Sequence, residues 1–273
     1  LTGRTTGLEI TTEPIAQGRD GTTRVILGLS DVAFQDVFRA LCEDFAAAFA
    51  GLSNVHQAGK EFAKRFNRWK RFLQAHGAGG LSDSECLGLV GELSVLRQLL
   101  SGGPDPAVAL RAWTGPDRDS RDFTLARGDL EVKTTASLAP TELKISSLQQ
   151  LDTRAGRSLA IQHVVVSRNP TVGQTLPELV EEVARLSGDA IALFRDRLLS
   201  AGYLDAHEPR YSSPRYQLIV SEAFAVEDGF PRLVSNHVPR GINDATYSVS
   251  LAAIRDFRID AFDPQDLLTE DVG

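Results

Sequence analysis

The residues best suited to chemistry lie close together in the stretch from Asp122 to Lys133. Apolar and polar residues alternate along both halves of this stretch, and Arg127-Gly128 stands between the halves, which predicts a β-hairpin with a two-residue turn. Side chains alternate across a strand. Asp122, Glu131 and Lys133 should therefore project from one face of the hairpin, with an apolar face behind them.

The predicted register pairs Asp122 with Lys133, Phe123 with Val132, and Leu125 with Leu130. Two carboxylates and an ammonium group would then converge within a few ångströms. One or two carboxylates suffice to hold Mg²⁺, which keeps several waters, and a neighbouring lysine can position water or steady the charge on a phosphate. The alternative is a solvated hairpin with a cross-strand Asp–Lys pair, worth less than ~1 kcal/mol.

A third carboxylate, Glu92, lies in an apolar helical pattern from about Asp83 to Leu100. Leu89, Val95 and Leu96 flank it at helical spacing, so it should point into apolar surroundings. Because a buried carboxylate is costly unless it is paired, two interpretations stay open. Glu92 either pairs with an arginine as a structural lock or faces the hairpin site.

Together these residues resemble the PD-(D/E)XK nuclease superfamily, which has the restriction-endonuclease-like fold. Its pattern is an acidic residue at the start of one strand, Glu-X-Lys on the next, and a preceding helix that often carries a glutamate. Asp122 matches the first element, Glu131-Val132-Lys133 the second, and Glu92 the helical glutamate. Pro116-Asp117 is a literal Pro-Asp and an alternative first acid; Asp122 is preferred because Asp117 lies in a loop-like stretch.

The resemblance implies an α/β fold: a restriction-endonuclease-like mixed sheet core in the order αβββαβ, with a helical N-terminal extension and an α+β C-terminal extension. The core should span residues 81–168, between extensions at 1–80 and 169–273. The motif context over residues 81–151 looks like a bacterial subfamily of uncharacterised function found near DNA-modification and phage-defence genes.

The resemblance also implies a Mg²⁺-dependent endonuclease acting on DNA, with Mn²⁺ as an alternative cation. Asp122 and Glu131 would be the metal ligands, and Lys133 and Glu92 would complete the catalytic set. Protein partners from a defence or modification system would fit this assignment. A homodimer would fit as well, because restriction-like nucleases often act as dimers.

A helix from about Gln57 to Ala75 carries a surplus of positive charge. This surplus makes it the best candidate for a surface that contacts phosphates, although an ordinary solvated helix face would look the same. The residues expected to bind nucleic acid are Lys60, Lys64, Arg68 and Arg71.

Composition narrows the classes of protein that this chain can be. With 273 residues and 42% apolar content it can bury a sizeable core. A net charge of −7 argues against indiscriminate wrapping of nucleic acid. No apolar run is long enough to span a membrane, and the first residues lack a signal-peptide pattern. Cys42 and Cys86 are expected to be reduced core residues, which suits a cytoplasmic protein.

Other expectations concern the elements around the hairpin. Residues 108–113 read as a strand, and residues 158–166 as a central strand that holds His163 as a satisfied core residue. Two strands are expected at 215–220 and 222–227, and a solvated acidic tail at 256–271. The competing functional hypothesis is a catalytically silent nucleic-acid-binding or scaffold subunit of a defence complex that retains the fold.

Overall fold

The computed structural model describes residues 3–15, 23–102, 105–117, 119–169 and 171–268. The chain divides into two compact units, one of residues 1–82 with 202–209 and one of residues 83–201 with 210–273. The division into 1–80, 81–168 and 169–273 made from the sequence stays a prediction.

The first unit combines a small antiparallel sheet with two helices. Apolar residues at helical spacing on both helices turn inward, and Leu41, Phe45, Trp69 and Phe72 are buried. Asp31 caps the short 3₁₀ turn that leads into the first helix, and Asn54 caps the second helix. The elements are β1 (Gly3–Thr5), β2 (Leu8–Pro14), β3 (Thr23–Leu29), α1 (Gln35–Phe49) and α2 (Val55–His76).

The second unit holds the hairpin and the long apolar strand. Its helices and strands are α3 (Asp83–Gly102), α4 (Pro106–Ala112), β4 (Phe123–Thr124), β5 (Gly128–Thr135), β6 (Glu142–Ile145), β7 (Ser158–Asn169), α5 (Leu176–Leu186), α6 (Ile191–Ser200), β8 (Arg215–Ala225), β9 (Tyr247–Ser250) and β10 (Arg258–Ile259). The short helix α7 (Glu208–Tyr211) has its first two residues in the first unit and its last two in the second.

Five of the described strands form one mixed sheet in the order β10-β8-β7-β5-β4. The pair β5–β7 is parallel, and the other pairs are antiparallel. The long strand β7 lies inside the sheet, as its apolar run predicts. The predicted fold class, a mixed α/β architecture of the restriction-endonuclease type, is confirmed.

One face of this sheet is covered by α3, which approaches β5 very closely at Gly91. A Cβ atom added to Gly91 would lie 1.8 Å from Oγ1 of Thr134, so no larger residue fits there without displacing the helix or the strand. Helix α5 packs beside α3, where Arg97 and Glu182 form an ion pair at 3.1 Å.

The opposite face is covered by an apolar layer that includes the two-stranded sheet of β6 and β9. Leu143 and Ile145 of β6 belong to this layer, so β6 lies outside the five-stranded sheet. The buried residues of this layer are Leu143, Ile145, Leu151, Leu159, Ile161, Phe224, Val226, Phe230, Val249 and Ile254.

The expected strand at residues 108–113 is wrong, because Pro106–Ala112 forms helix α4. Asp105 accepts a hydrogen bond from the amide of Ala107 at 2.8 Å, and Pro106 occupies the first helical turn. Both are helix-start signals that outweigh the short apolar run. Trp113, which follows the helix, forms an isolated bridge with Phe123.

The hairpin exists, but its predicted register is wrong by two residues. Phe123 pairs with Leu130 and Thr124 with Asp129, so the connection is longer than Arg127-Gly128. Arg157, from the start of the β7 region, donates to the carbonyls of Leu125 and Gly128 and holds this wider loop. A shift of two residues preserves the face of every side chain, so the predicted clustering of acids survives.

Two expectations for the C-terminal third are also corrected. The strands expected at 215–220 and 222–227 are one continuous strand, β8. The stretch from residue 256 is not a solvated tail throughout, because β10 joins the sheet and Pro264 and Leu268 are buried. Residues 269–271 of that expected tail lie outside the described residues. In the part of the chain that the structure describes, no helix has the length and apolar character needed to cross a membrane.

Candidate active site

The site lies where Asp122, directly before β4, meets the middle of β5. Asp122 stands at the entrance to β4, and its Oδ2 accepts a hydrogen bond from the amide of Val132 at 2.7 Å. This bond ties the first acid directly to the strand that carries the Glu-X-Lys motif. Asp122 is partly buried, and the adjacent Phe123 is fully buried beneath it.

Glu131 and Lys133 share one face of β5, because they are two residues apart on a strand. Oε1 of Glu131 lies 2.8 Å from Nζ of Lys133. Glu131 is only 1% exposed, so the pair is largely desolvated and the attraction between its charges must offset the cost of burying them. The ammonium group is therefore held in place rather than free to sample solvent.

Gln150 gives Lys133 a second partner. Its Oε1 accepts from Nζ of Lys133 at 2.8 Å and from the amide of Ser146 at 2.8 Å. The 3₁₀ turn Leu148–Leu151 places Gln150 here, while the side chain of Gln149 is exposed. Of these two neighbouring glutamines, only Gln150 faces the site.

Glu92, from α3, completes the acidic group. Its Oε2 accepts from Nε1 of the buried Trp113 at 2.7 Å. Gly115 stands between Glu92 and Asp122, because a Cβ added there would lie 3.0 Å from Oε2 of Glu92 and 3.1 Å from Oδ1 of Asp122. Of the two sequence interpretations of Glu92, the geometry agrees with the one in which it faces the hairpin.

The three carboxylates disturb one another's protonation. Burial, with the charge of Asp122 as the next cause, raises the pKa of Glu131 to about 8. Burial and the same neighbour raise the pKa of Glu92 well above its usual range, and the Trp113 hydrogen bond opposes this. Burial also raises the pKa of Asp122. A site that accumulates negative charge in this way stabilises either protons or a cation.

Arg121 is a part of the site that sequence reasoning missed. It is 1% exposed, and its guanidinium donates to the main-chain oxygens of Ser120, Gln149 and Asp152. Its positive charge lowers the pKa of both Glu131 and Asp122 against the effect of burial. An arginine beside an aspartate is common in sequences, and nothing in this one marks Arg121 as buried.

Asp117, the alternative first acid, lies elsewhere. It belongs to a short 3₁₀ turn, its side chain is 57% exposed, and its Oδ2 accepts from Nη1 of Arg197 at 2.9 Å. It does not appear among the groups that shift the pKa of Glu92, Asp122 or Glu131. The geometry therefore favours Asp122 as the first acid of the motif.

Comparison with known families gives the same result as the geometry. The model of the family described as "Putative PD-(D/E)XK family member, (DUF4420)" matches residues 4–252. The chain belongs to this family. No curated protein and no solved structure matches the chain. The resemblance found in the motif residues is thus confirmed over nearly the whole length, and membership in this PD-(D/E)XK family indicates a nuclease-type site.

Nucleases of the PD-(D/E)XK type use divalent metals, and the carboxylates of this site fit one in part. Asp122 and Glu131 supply hard oxygen donors, and burial raises the pKa of both. Among the described residues, no three or more His, Cys, Asp or Glu side chains form a ready metal-binding group. Mg²⁺ needs only one or two carboxylates with waters, and the pair fits this requirement.

The predicted nucleic-acid-binding residues lie on α2 in the first unit. Lys60, Lys64 and Arg71 are exposed and, at spacings of four and seven residues, share one stripe of the helix. Arg68 differs, because it is 8% exposed and donates to Oδ2 of Asp44 at 3.2 Å. It helps to fix α1 against α2, and a phosphate contact would have to break that ion pair.

Proposed function

We propose that the protein is a divalent-cation-dependent nuclease that hydrolyses phosphodiester bonds, with DNA as its substrate. The convergence of Asp122, Glu131, Lys133 and Glu92 on one buried edge of the sheet supports this proposal most strongly. Family membership supports the same reaction class.

In the proposed mechanism Asp122 and Glu131 would hold Mg²⁺ or Mn²⁺, and the cation would supply Lewis-acid chemistry at the scissile phosphate. Lys133 binds and orients the attacking water or a phosphate oxygen, since its Nζ is already held by Glu131 and Gln150. Glu92, whose pKa is raised by burial and by the charge of Asp122, holds or accepts a proton beside the reacting group.

The exposed stripe of Lys60, Lys64 and Arg71 is proposed to contact the phosphate backbone. We propose further that the protein acts in the cytoplasm as part of a restriction or phage-defence system, with protein partners. We also propose that it acts as a homodimer. The first experiment follows cleavage of supercoiled plasmid by purified protein in Mg²⁺ or Mn²⁺, with native chain, Asp122→Asn and Lys133→Ala.

The controls are Asp117→Asn and Lys144→Ala, which change the same residue types at exposed positions. We expect native protein and both controls to nick or linearise the plasmid, and the two site variants to lose at least about 100-fold in rate. If native protein does not cleave and its melting temperature does not change with Mn²⁺, the scaffold hypothesis replaces this one. Equal loss in Asp117→Asn would show that the first acid has been misassigned.

A further inference from the structure

A second feature of the sheet is a cavity of about 460 Å³ on the face opposite α3. Its walls are largely apolar and include Leu138, Val165, Phe224 and Leu251. Small-molecule sites typically occupy about 300–1,000 Å³ and combine apolar walls with a few polar groups. This cavity therefore has the size and lining of a ligand site.

His163 lies in the wall of this cavity and has no internal partner. The side chain is 1% exposed, and neither ring nitrogen has a hydrogen-bond partner among the described residues. It is therefore not the satisfied core histidine that the sequence predicted. A buried polar group without a partner costs about 1–3 kcal/mol, so its presence at a cavity wall indicates a ligand that bonds to it.

The chemistry of that ligand follows from the neighbouring charges. Burial lowers the pKa of His163, so the imidazole is neutral and offers one donor and one acceptor. Glu222 lines the same cavity and adds a carboxylate acceptor, while Arg255 and Arg258 add exposed guanidinium groups. Arg258 lies 3.5 Å from Glu222, a loose pairing that leaves donors available.

The cavity also lies next to the proposed active site. In the parallel β5–β7 pair, His163 is the register partner of Lys133. Adjacent strands are about 4.8 Å apart. Two nucleotide steps of about 3.4 Å each are long enough to span that distance. A polynucleotide with a phosphate at Lys133 could thus place a neighbouring nucleotide over His163.

We propose that this cavity binds an unstacked nucleobase, with the polar edge of the base on His163 and Glu222 and its phosphate at Arg255 and Arg258. Apolar walls suit the faces of a planar ring, and unstacked bases are recognised by contacts to their edges. The proposal rests on the proposed function in taking nucleic acid as the molecule handled. The base can come from a polynucleotide strand or from a free nucleotide.

Binding is measured in EDTA, so that cleavage plays no part. Native protein is titrated with each of the four deoxynucleoside 5′-monophosphates by calorimetry, and with a fluorescent single-stranded oligonucleotide by anisotropy. His163→Leu removes the polar edge of the site. Leu138→Trp fills the cavity from a position that is 69% exposed, and so preserves folding if the histidine variant does not fold. Arg168→Ala, at the exposed end of β7, is the control.

We expect His163→Leu and Leu138→Trp to weaken binding about 10-fold or more, with Arg168→Ala unchanged. Binding of a monophosphate identifies a free nucleotide as sufficient, whereas an effect on the oligonucleotide alone identifies a strand as the source. Native protein that binds neither ligand, or equal affinities for native and both cavity variants, would overturn the proposal. Loss of self-association in Leu138→Trp, with nucleotide affinity unchanged, would instead assign the cavity to a second copy.

Lys133→Ala separates this inference from the proposed function. The substitution should abolish cleavage and leave the affinity for the free monophosphates intact, because Lys133 does not line the cavity. If native protein binds nucleotides through His163 but does not cleave, the cavity proposal stands and the nuclease proposal is wrong.

Discussion

Nζ of Lys133 and Oε1 of Gln150 lie 2.8 Å apart, and the same oxygen holds the amide of Ser146. The glutamine therefore fixes the ammonium to the backbone of a neighbouring segment. We expect Gln150→Ala to lower the cleavage rate about 10- to 100-fold, as loss of an outer-shell partner commonly does. Steady-state rates on an oligonucleotide substrate measure the effect, with the exposed Gln149→Ala as the matched control. Equal rates in both variants would remove Gln150 from the site.

The Trp113–Glu92 hydrogen bond should set the pH profile of cleavage. Trp113→Phe retains an aromatic ring beside Phe194 but removes the donor that lowers the pKa of Glu92. The pKa of Glu92 should rise further. The part of the curve of cleavage rate against pH that depends on Glu92 should therefore move to higher pH. The rate is measured from pH 6 to pH 10.

Trp69→Phe is the control for this test, because Trp69 is also buried and donates to a carboxylate, Asp44, at 2.9 Å. Both substitutions should cost about 1–3 kcal/mol of stability. Only Trp113→Phe should shift the profile, and a parallel shift in the control would refute the role given to Trp113.

Glu131 should make the metal-free protein less stable as the pH rises. Its pKa is about 8 in the folded state against the ordinary 4.5 of an exposed glutamate, so the folded chain holds a proton that the unfolded chain releases. Stability is then full below about pH 4.5 and declines as the pH rises to about 8. Melting in EDTA across this range should show a fall that Glu131→Gln reduces, at roughly 2–4 °C per kcal/mol.

The exposed Glu142→Gln should melt like native protein throughout. Mn²⁺ at pH 8 should raise the melting temperature of native protein but not of Glu131→Gln, because the cation replaces the proton. If the difference in melting temperature between native protein and Glu131→Gln does not change with pH, the proposed link between Glu131 protonation and stability is wrong.

Gly115→Ala should weaken the response to divalent ions without changing the charges of the site. The new methyl group would stand about 3 Å from both Glu92 and Asp122 and push the two carboxylates from their positions. We expect the Mg²⁺ concentration for half-maximal cleavage to rise at least about 10-fold. Gly51→Ala, where a Cβ meets nothing within 4 Å, should behave as native. An unchanged Mg²⁺ requirement would show that the carboxylates do not need this spacing.

The basic stripe of α2 is tested by the salt dependence of DNA binding. Replacing Lys60, Lys64 and Arg71 together by Ala should reduce the slope of log affinity against log salt by up to about 3, because each phosphate contact contributes about 0.9. A triple variant of Arg24, Arg39 and Lys144 changes the net charge equally at other exposed positions. If both triples reduce the slope alike, binding depends on net charge rather than on this stripe.

The elements that the sequence predicted well are those with long, consistent patterns. The helix near residues 83–100 keeps its apolar pattern over many residues, and the strand around His163 is a long continuous apolar run. The stretch 108–113 is too short for its periodicity to distinguish a strand from a helix. The helix-start residues Asp105 and Pro106 determine that it is helical. The hairpin register depends on Arg157, about thirty residues along the chain, which no local rule for turns includes.

The residues of the candidate site also divide into those that a local pattern predicts and those that it does not. Asp122, Glu131 and Lys133 could be grouped from the sequence because strand alternation alone places them on one side. Trp113, Gly115 and Arg121 could not, since their roles arise from tertiary contacts between segments. Their residue types carry no signal that distinguishes them from ordinary loop residues.

The contact between Gly91 and Thr134 has a consequence for recognising relatives. Because α3 touches β5 at Gly91, the helix is anchored one residue before Glu92, and that anchor sets how far the glutamate reaches toward the strand. Any side chain at 91 would carry its neighbour away from the acids. A distant homologue that keeps the chemistry should therefore conserve the dipeptide Gly-Glu as a unit, paired with a small residue directly after the motif lysine.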